Sequence, residues 1–180
     1  MSSEILRSFV SDRFADEHGA KPCTDYGTWR AVYGSVAQPL AALAYRSAAD
    51  EPLFLETYFD APIEDIVSRA FGRSVTRKSI VEIGCLAAAP TPALLRLWVD
   101  AAAVLSEHHE IAVATLTLPL RAMFARVGMP LISLGTAYST RLDPGDAAQW
   151  GSYYAARPMI CAGDIRAGHA ALTTFGDDAV

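Results

Sequence analysis

Apolar positions between residues 80 and 134 fall into blocks of two alternating lengths. The run IVEIGCLAA at 80–88 has strand length and no helical stripe. After it comes TPALLRLWVDAAAVLSEHH, whose apolar residues recur at helical spacing over 92–108. A second short apolar run, IAVATLT at 111–117, leads into PLRAMFARVG at 119–128, a shorter helix closed by Gly128, and then into the strand MPLISL at 129–134. Buried strands separated by a striped helix of this length predict a parallel pair joined by a right-handed crossover. If the pair holds a ligand, its strands should part at their C-terminal ends.

The flanking regions are patterned less strongly. Residues 3–17 predict a first helix, with Ser2 or Ser3 as N-cap, Ile5, Phe9, Val10 and Phe14 on one face, and Gly19 as its stop. Residues 29–36 and 40–48 predict an antiparallel hairpin turning near Gln38-Pro39, and 49–61 a loop rich in aromatic and acidic residues. Pro62 opens a short helix that ends at Gly72. Beyond the crossover, 143–150 predicts a short helix and 159–162 a last strand. The expected organisation is one domain over 1–165, an α/β (α+β) fold with a mixed sheet flanked by helices, followed by a loosely ordered tail over 166–180.

Composition narrows the function classes. The 180 residues are 52% hydrophobic and 19% charged, which suits a globular core. A net charge of -5 argues against nucleic acid as a partner. No apolar stretch approaches the ~20 residues of a membrane span, and no apolar leader is visible. Cys23, Cys85 and Cys161 are too few and too scattered for a disulfide framework or a zinc site, and they fit a reducing, cytoplasmic setting. No metal and no permanently bound cofactor are expected.

Candidate chemistry starts at Glu82, an acid in the middle of an otherwise apolar strand. A carboxylate there is costly unless paired or used. Glu82 and Gly84 should share a face, with Gly84 leaving room for a ligand or a backbone. Glu82 is then either a general base of raised pKa or the ion-pair partner of an arginine such as Arg46 or Arg121. Arg46, at the end of a strand, offers a fork for a carboxylate or phosphate, or is simply solvated. Glu56, Tyr58 and Asp60 alternate and could project together, Glu56 as a second catalytic acid and Tyr58 and Asp60 as binding groups. Cys85 packs as a small hydrophobe or lines the site, as do Thr115 and Arg121 on the following strand and helix. Trp150 and Tyr153 line an acyl pocket or cover the sheet. The turn at 88–93 has no glycine and two prolines, Pro90 and Pro92, so it offers few amides to a pyrophosphate. Arg73, Arg77 and Lys78 are either a solvated basic loop or a docking point for an acidic carrier protein.

Four segments, RSAADEPLFLETYFDAPIE, IVEIGCLAA, LRAMFARVGMPL and WGSYYAARPMICAGDI, resemble the signature segments of the thermostable haemolysin family, over residues 7–165. That family resembles the acyl-homoserine-lactone synthases and the wider GNAT-like acyltransferases, with which the element order also agrees. Tyr45-Arg46 and Glu82-Ile83-Gly84 match synthase positions holding an essential arginine and an essential acid. The chain departs from both patterns at Cys85, where the family carries asparagine and the synthases arginine. The resemblance implies an N-acyltransferase that moves a fatty acyl group from a phosphopantetheine thioester to a small amine or amino-acid-like acceptor. The donor is acyl carrier protein or coenzyme A, which makes a carrier protein a possible partner. A membrane-active or lipid-binding protein without catalysis is the alternative, and a shell of the same fold that has lost activity is a third.

Overall fold

The computed structural model describes residues 3–22, 24–89 and 92–178. Helix α1 (Ser3–His18) is followed by strands β1 (Thr28–Tyr33) and β2 (Pro39–Ser47), a 3-10 turn at Phe54–Tyr58 and helix α2 (Ile63–Phe71). Then come β3 (Ile80–Ala88), α3 (Ala93–Leu105), β4 (Ile111–Leu116), α4 (Leu118–Arg126), β5 (Ile132–Thr136), α5 (Pro144–Ala148), β6 (Met159–Asp164) and α6 (Ile165–Asp178). The six strands form one sheet in the order β1-β2-β3-β4-β6-β5. Every neighbouring pair is antiparallel except β3 and β4. The fold is thus a mixed sheet flanked by helices, as expected.

Two layers of helix cover the sheet. On one face α1 and α2 bury Leu6, Val10, Ile63 and Val67 against Ala42, Ala44, Ile80, Val113 and Ile160. On the other, α3, α4 and α6 bury Leu97, Ala101, Phe124 and Leu172 against Leu43, Val81, Leu116 and Cys161. Strand alternation assigns odd and even positions to opposite faces.

The parallel pairing of β3 with β4 runs only from Ile80–Ile111 to Ile83–Ala114. Past that point β4 stays with β6 as far as Leu116 while β3 stays with β2 as far as Ala88, so the two strands part toward their C-terminal ends. A bulge accompanies the parting. Ala44 faces Gly84 and Ala42 faces Ala87, so two residues of β3, Cys85 and Leu86, oppose Leu43 alone. Cys85 carries φ +52, the left-handed region that costs a non-glycine residue ~1–3 kcal/mol. The extra residue reverses the alternation: Val81 and Ile83 pack toward α3 before the bulge, Leu86 and Ala88 after it.

Several sequence expectations need correction. The tail expected to be loose is helix α6, started by Asp164, whose Oδ1 accepts the Ala167 N–H at 2.9 Å, and anchored by buried Ile165 and Leu172. In α1 the buried stripe runs through Leu6 and Val10, while Ile5 faces solvent; Ser2, one of the two expected caps, lies outside the described residues. The hairpin turns earlier than expected, over 34–38, with the Gly34 N–H donating to the Gln38 carbonyl at 2.9 Å and Val36 exposed at the tip. α5 ends at Ala148, and Trp150 lies beyond it. No helix among the described residues is long and apolar enough to cross a membrane.

Candidate active site

A cavity of about 550 Å³ opens where β3 and β4 part, within the usual range for a small-molecule site. Its walls include Glu82 and Phe54 from one face of the sheet and Trp98 and Leu172 from the other. The cavity therefore passes through the sheet at the parted strands. One end is polar and aromatic. The other is apolar, with Trp98 stacked on Phe124 at 3.9 Å between ring centres and Leu94, Met129, Leu131 and Leu172 around them.

Glu82 stands at the polar end, 2% exposed. Its Oε2 accepts the Phe54 N–H at 2.9 Å and its Oε1 accepts the Leu55 N–H at 3.0 Å, so the carboxylate holds the first turn of the 54–58 segment. Burial pushes its pKa up to about 7, against the partly offsetting pull of those amides, of Arg46 and of the Tyr26 hydroxyl. Arg46 reaches it at 3.6 Å through Nε, an ion pair without a hydrogen bond. The rest of the guanidinium is used elsewhere: Nη2 donates to the Asp25 carbonyl at 2.9 Å, Nη1 pairs with Glu51 at 3.2 Å, and the plane lies 3.9 Å from the centre of the Tyr26 ring. Arg46, not Arg121, is thus the arginine at Glu82.

The space above Gly84 is already filled. A Cβ at this position would collide with the Tyr26 hydroxyl oxygen. Glycine is needed here so that Tyr26 can lie across the strand and reach Glu82, rather than to admit a ligand over its own Cα. Gly84 still forms part of the cavity wall, as does Cys85.

Glu56 has a different environment. Arg77 grips it with Nη1 on Oε1 and Nη2 on Oε2, each at 2.7 Å, and the same carboxylate accepts the N–H groups of Leu53 and Ile63. The Arg77 hydrogen bonds lead in pulling its pKa down to about 2. Glu56 does not line the cavity; it fastens the 54–58 turn to the start of α2. Tyr58 does line it, its hydroxyl 2.6 Å from that of Tyr154, and burial pushes its pKa upward. Asp60 lies outside, its side chain 90% exposed and paired with Arg141 at 2.6 Å. The three do not project together because residues 54–58 form a 3-10 turn, not an extended strand.

Thr115 lines the cavity, and its carbonyl accepts the Tyr153 hydroxyl at 3.4 Å. Trp150 and Tyr153 lie at the polar end, 5.0 Å apart, with Phe54 and Phe14 packed against them. Arg121 sits elsewhere, in a separate recess of about 250 Å³, and donates to the Arg157 carbonyl at 3.0 Å. Cys161 belongs to both walls and Cys85 to the first, while Cys23 lies outside the described residues.

The basic loop is less open than its sequence implies. Arg77 is held by Glu56 and Glu64, and Arg73 pairs with Glu110 at 2.9 Å, leaving Lys78 exposed. In the turn before α3, Pro90 and Thr91 lie outside the described residues; the Ala89 N–H is spent on the Leu40 carbonyl at 2.7 Å. Sequence reasoning missed Tyr26, Arg13 and His18 at the site, and did not place Phe14 there. Arg13, Phe14, Glu17 and His18 recur at one-turn spacing at the end of α1, where their pattern is that of any half-buried helix face.

The family model for thermostable hemolysin matches residues 2–169. No curated protein matches the chain in sequence. Among solved structures it is similar to FeeM, an N-acyl amino acid synthase from uncultured soil microbes, at 12% identity and a TM-score of 0.64, covering 91% of each chain. It is also similar to BjaI, a CoA-dependent acyl-homoserine lactone synthase with SAM and isopentyl-CoA bound, at 13% identity and a TM-score of 0.63, covering 98% of this chain and 82% of that one. An agmatine N-acetyltransferase mutant is a third, at 15% identity and a TM-score of 0.55, covering 90% and 93%. At these identities the likeness is one of fold.

Proposed function

Because the chain belongs to the thermostable hemolysin family and its cavity joins a buried acid to an apolar end through parted strands, we propose that it is an N-acyltransferase. It moves a fatty acyl group from a phosphopantetheine thioester to a small amine. The acyl chain occupies the apolar end around Trp98, Phe124 and Leu172, the thioester lies where β3 and β4 part, and the amine enters beside Glu82. The observation that carries this reading is that the apolar end and Glu82 line one continuous cavity.

The chemistry follows from that placement. The amine nitrogen attacks the thioester carbonyl carbon and forms the C–N bond; the C–S bond breaks and the thiolate leaves. The ammonium proton passes to Glu82. With a pKa of about 7, Glu82 is substantially ionised near neutral pH and well matched to accept it. A carboxylate offers about four lone-pair positions. Phe54, Leu55 and Tyr26 fill three, and Arg46 approaches without forming a hydrogen bond, so one stays open for an amine or a bridging water.

Among the described residues of the turn before α3, the Ala89 amide is used internally and Pro92 has none to give to a donor's nucleotide. The acyl group therefore arrives on a carrier protein or is held mainly through its pantetheine arm. A second reading, a lipid-binding shell without catalysis, is favoured by the grip of two backbone amides on Glu82, which would serve folding alone. Thiol release from acyl-CoA and acyl carrier protein in the presence of a panel of amines, with mass detection of the amide, separates the two. An N-acyl product supports the acyltransferase. Saturable acyl-thioester binding with no amide product from any amine would establish the shell.

A further inference from the structure

As a base, Glu82 has to exist in two states. It is a carboxylate before the amine reacts and a carboxylic acid once it holds the proton. The two states need different partners. A carboxylate only accepts hydrogen bonds, whereas the neutral acid also has one O–H to donate. The Phe54 and Leu55 amides donate to Glu82, and Arg46 faces it with N–H groups alone. None of these three can accept a hydrogen bond from the neutral acid. The remaining partner, the Tyr26 hydroxyl, can both donate and accept.

Tyr26 is held on every side except at its hydroxyl hydrogen. Its N–H donates to the Thr24 carbonyl at 2.9 Å, and its carbonyl accepts the Trp29 indole N–H at 3.0 Å and Arg7 Nη2 at 3.3 Å. The Arg46 guanidinium lies 3.9 Å from the centre of its ring, and its hydroxyl rests on β3 at Gly84, where a Cβ would collide with it. A ring pinned in this way stays beside Glu82, while rotation about its C–O bond needs no room. Other titratable groups face the same space. The Tyr58 hydroxyl is engaged with that of Tyr154 at 2.6 Å, and Arg13, Glu17 and His18 line the cavity from α1. Among the described residues none of these four hydrogen-bonds to the Glu82 carboxylate.

We propose that Tyr26 is a two-way partner of Glu82, donating to its carboxylate and, by turning its hydroxyl, accepting from the carboxylic acid formed when the amine gives up its proton. Tyr26 keeps its own proton throughout; the transferred proton leaves the amine nitrogen and ends on a Glu82 oxygen. Tyr26 is thus a positioning residue that acts through Glu82. It lets the acid change state while the Phe54 and Leu55 amides keep their grip. Its part in turnover rests on the acyltransferase reading, but the hydrogen bond can be tested without substrate.

Tyr26→Phe keeps the ring and removes only the oxygen. Urea denaturation of this variant and the parent, two pH units below and two above the Glu82 pKa of about 7, separates the roles. A two-way partner serves both states, so the midpoint should fall at both pH values, by ~0.3 M or more. In a Glu82→Ala background, where the pair is already broken, the same substitution should lower the midpoint at neither. A hydroxyl that only donates to the carboxylate would lower the midpoint above the pKa alone, and that result overturns the inference. No fall at either pH, or an equal fall in the Glu82→Ala background, also overturns it. In the parent chain, with no substitution, the NMR signal of the Tyr26 ring carbon bearing the hydroxyl should titrate together with the Glu82 carboxyl; a flat signal sinks the inference independently of how the variants fold. If the midpoint falls at both pH values while no amine is ever acylated, the proposed function fails and the two-way partner stands. If amines are acylated while the fall is confined to the upper pH, the function stands and the inference fails.

Discussion

Glu82 and Glu56 hold the same turn from two sides and are driven in opposite directions. Glu82 accepts the amides of Phe54 and Leu55, Glu56 those of Leu53 and Ile63. Yet the pKa of Glu82 rises to about 7 and that of Glu56 falls to about 2. Burial raises Glu82, and the Arg77 hydrogen bonds lower Glu56. Arg77 meets Glu56 with two parallel hydrogen bonds at 2.7 Å, while Arg46 shares its fork between Asp25 and Glu51 and gives Glu82 only an Nε at 3.6 Å. A buried acid beside an occupied arginine exchanges its proton near neutral pH; a half-buried acid in a full fork has none to exchange. The first suits catalysis, the second architecture.

The largest expected effect is on the architectural acid. Lowering the Glu56 pKa from 4.5 to about 2 corresponds to about 3 kcal/mol, so Glu56→Gln should cost that order of stability at neutral pH, read by urea denaturation. Because the folded pKa is depressed, this contribution is complete above pH 4.5 and is lost as pH falls through 2; the variant should lack that acid-side loss. A variant as stable as the parent would break the comparison at its firmer end.

Glu82 should show the opposite slope. Its folded pKa is raised, so stability linked to its proton is complete below pH 4.5 and is lost as pH rises through 7, by about 3 kcal/mol in all. In Glu82→Gln the stability curve should be flatter across that window. Next in size, Gly84→Ala puts a methyl group into the Tyr26 hydroxyl and should displace Tyr26 from Glu82. An overpacking cost of ~2 kcal/mol corresponds to a Tm lower by roughly 4–8 °C. The smallest effect should come from Tyr58→Phe, which removes one hydroxyl from the pair with Tyr154 and should cost about 1 kcal/mol by the same denaturation assay.

The parallel pair and its crossover helix were legible because a buried strand and a striped helix have different periods, and residues 80–116 keep each period cleanly. The C-terminal helix was not. Its sequence IRAGHAALTTFG carries glycine and threonine, weak helix formers, and its stability comes from packing on α3 and from the Asp164 cap. The bulge at Cys85 left no trace either, since glycine rather than cysteine marks left-handed backbone in a sequence. In the site, Glu82 stood out as an acid in an apolar run. Glu56 misled because its alternation with Tyr58 and Asp60 imitates a strand, and only the fold brings Arg77 to it. Tyr26 had no local signal, because its meaning depends on a glycine 58 positions away in another element.

The most direct test of the central claim is kcat/KM for acyl transfer to an amine, followed against pH in the parent chain and in Glu82→Gln. The parent should lose rate on the acidic side with an apparent pKa near 7. The variant should be slower by ~10²-fold or more, remain folded, and lack that limb. Wild-type rates and an unchanged pH profile in folded Glu82→Gln would contradict the account and return Glu82 to a purely structural part.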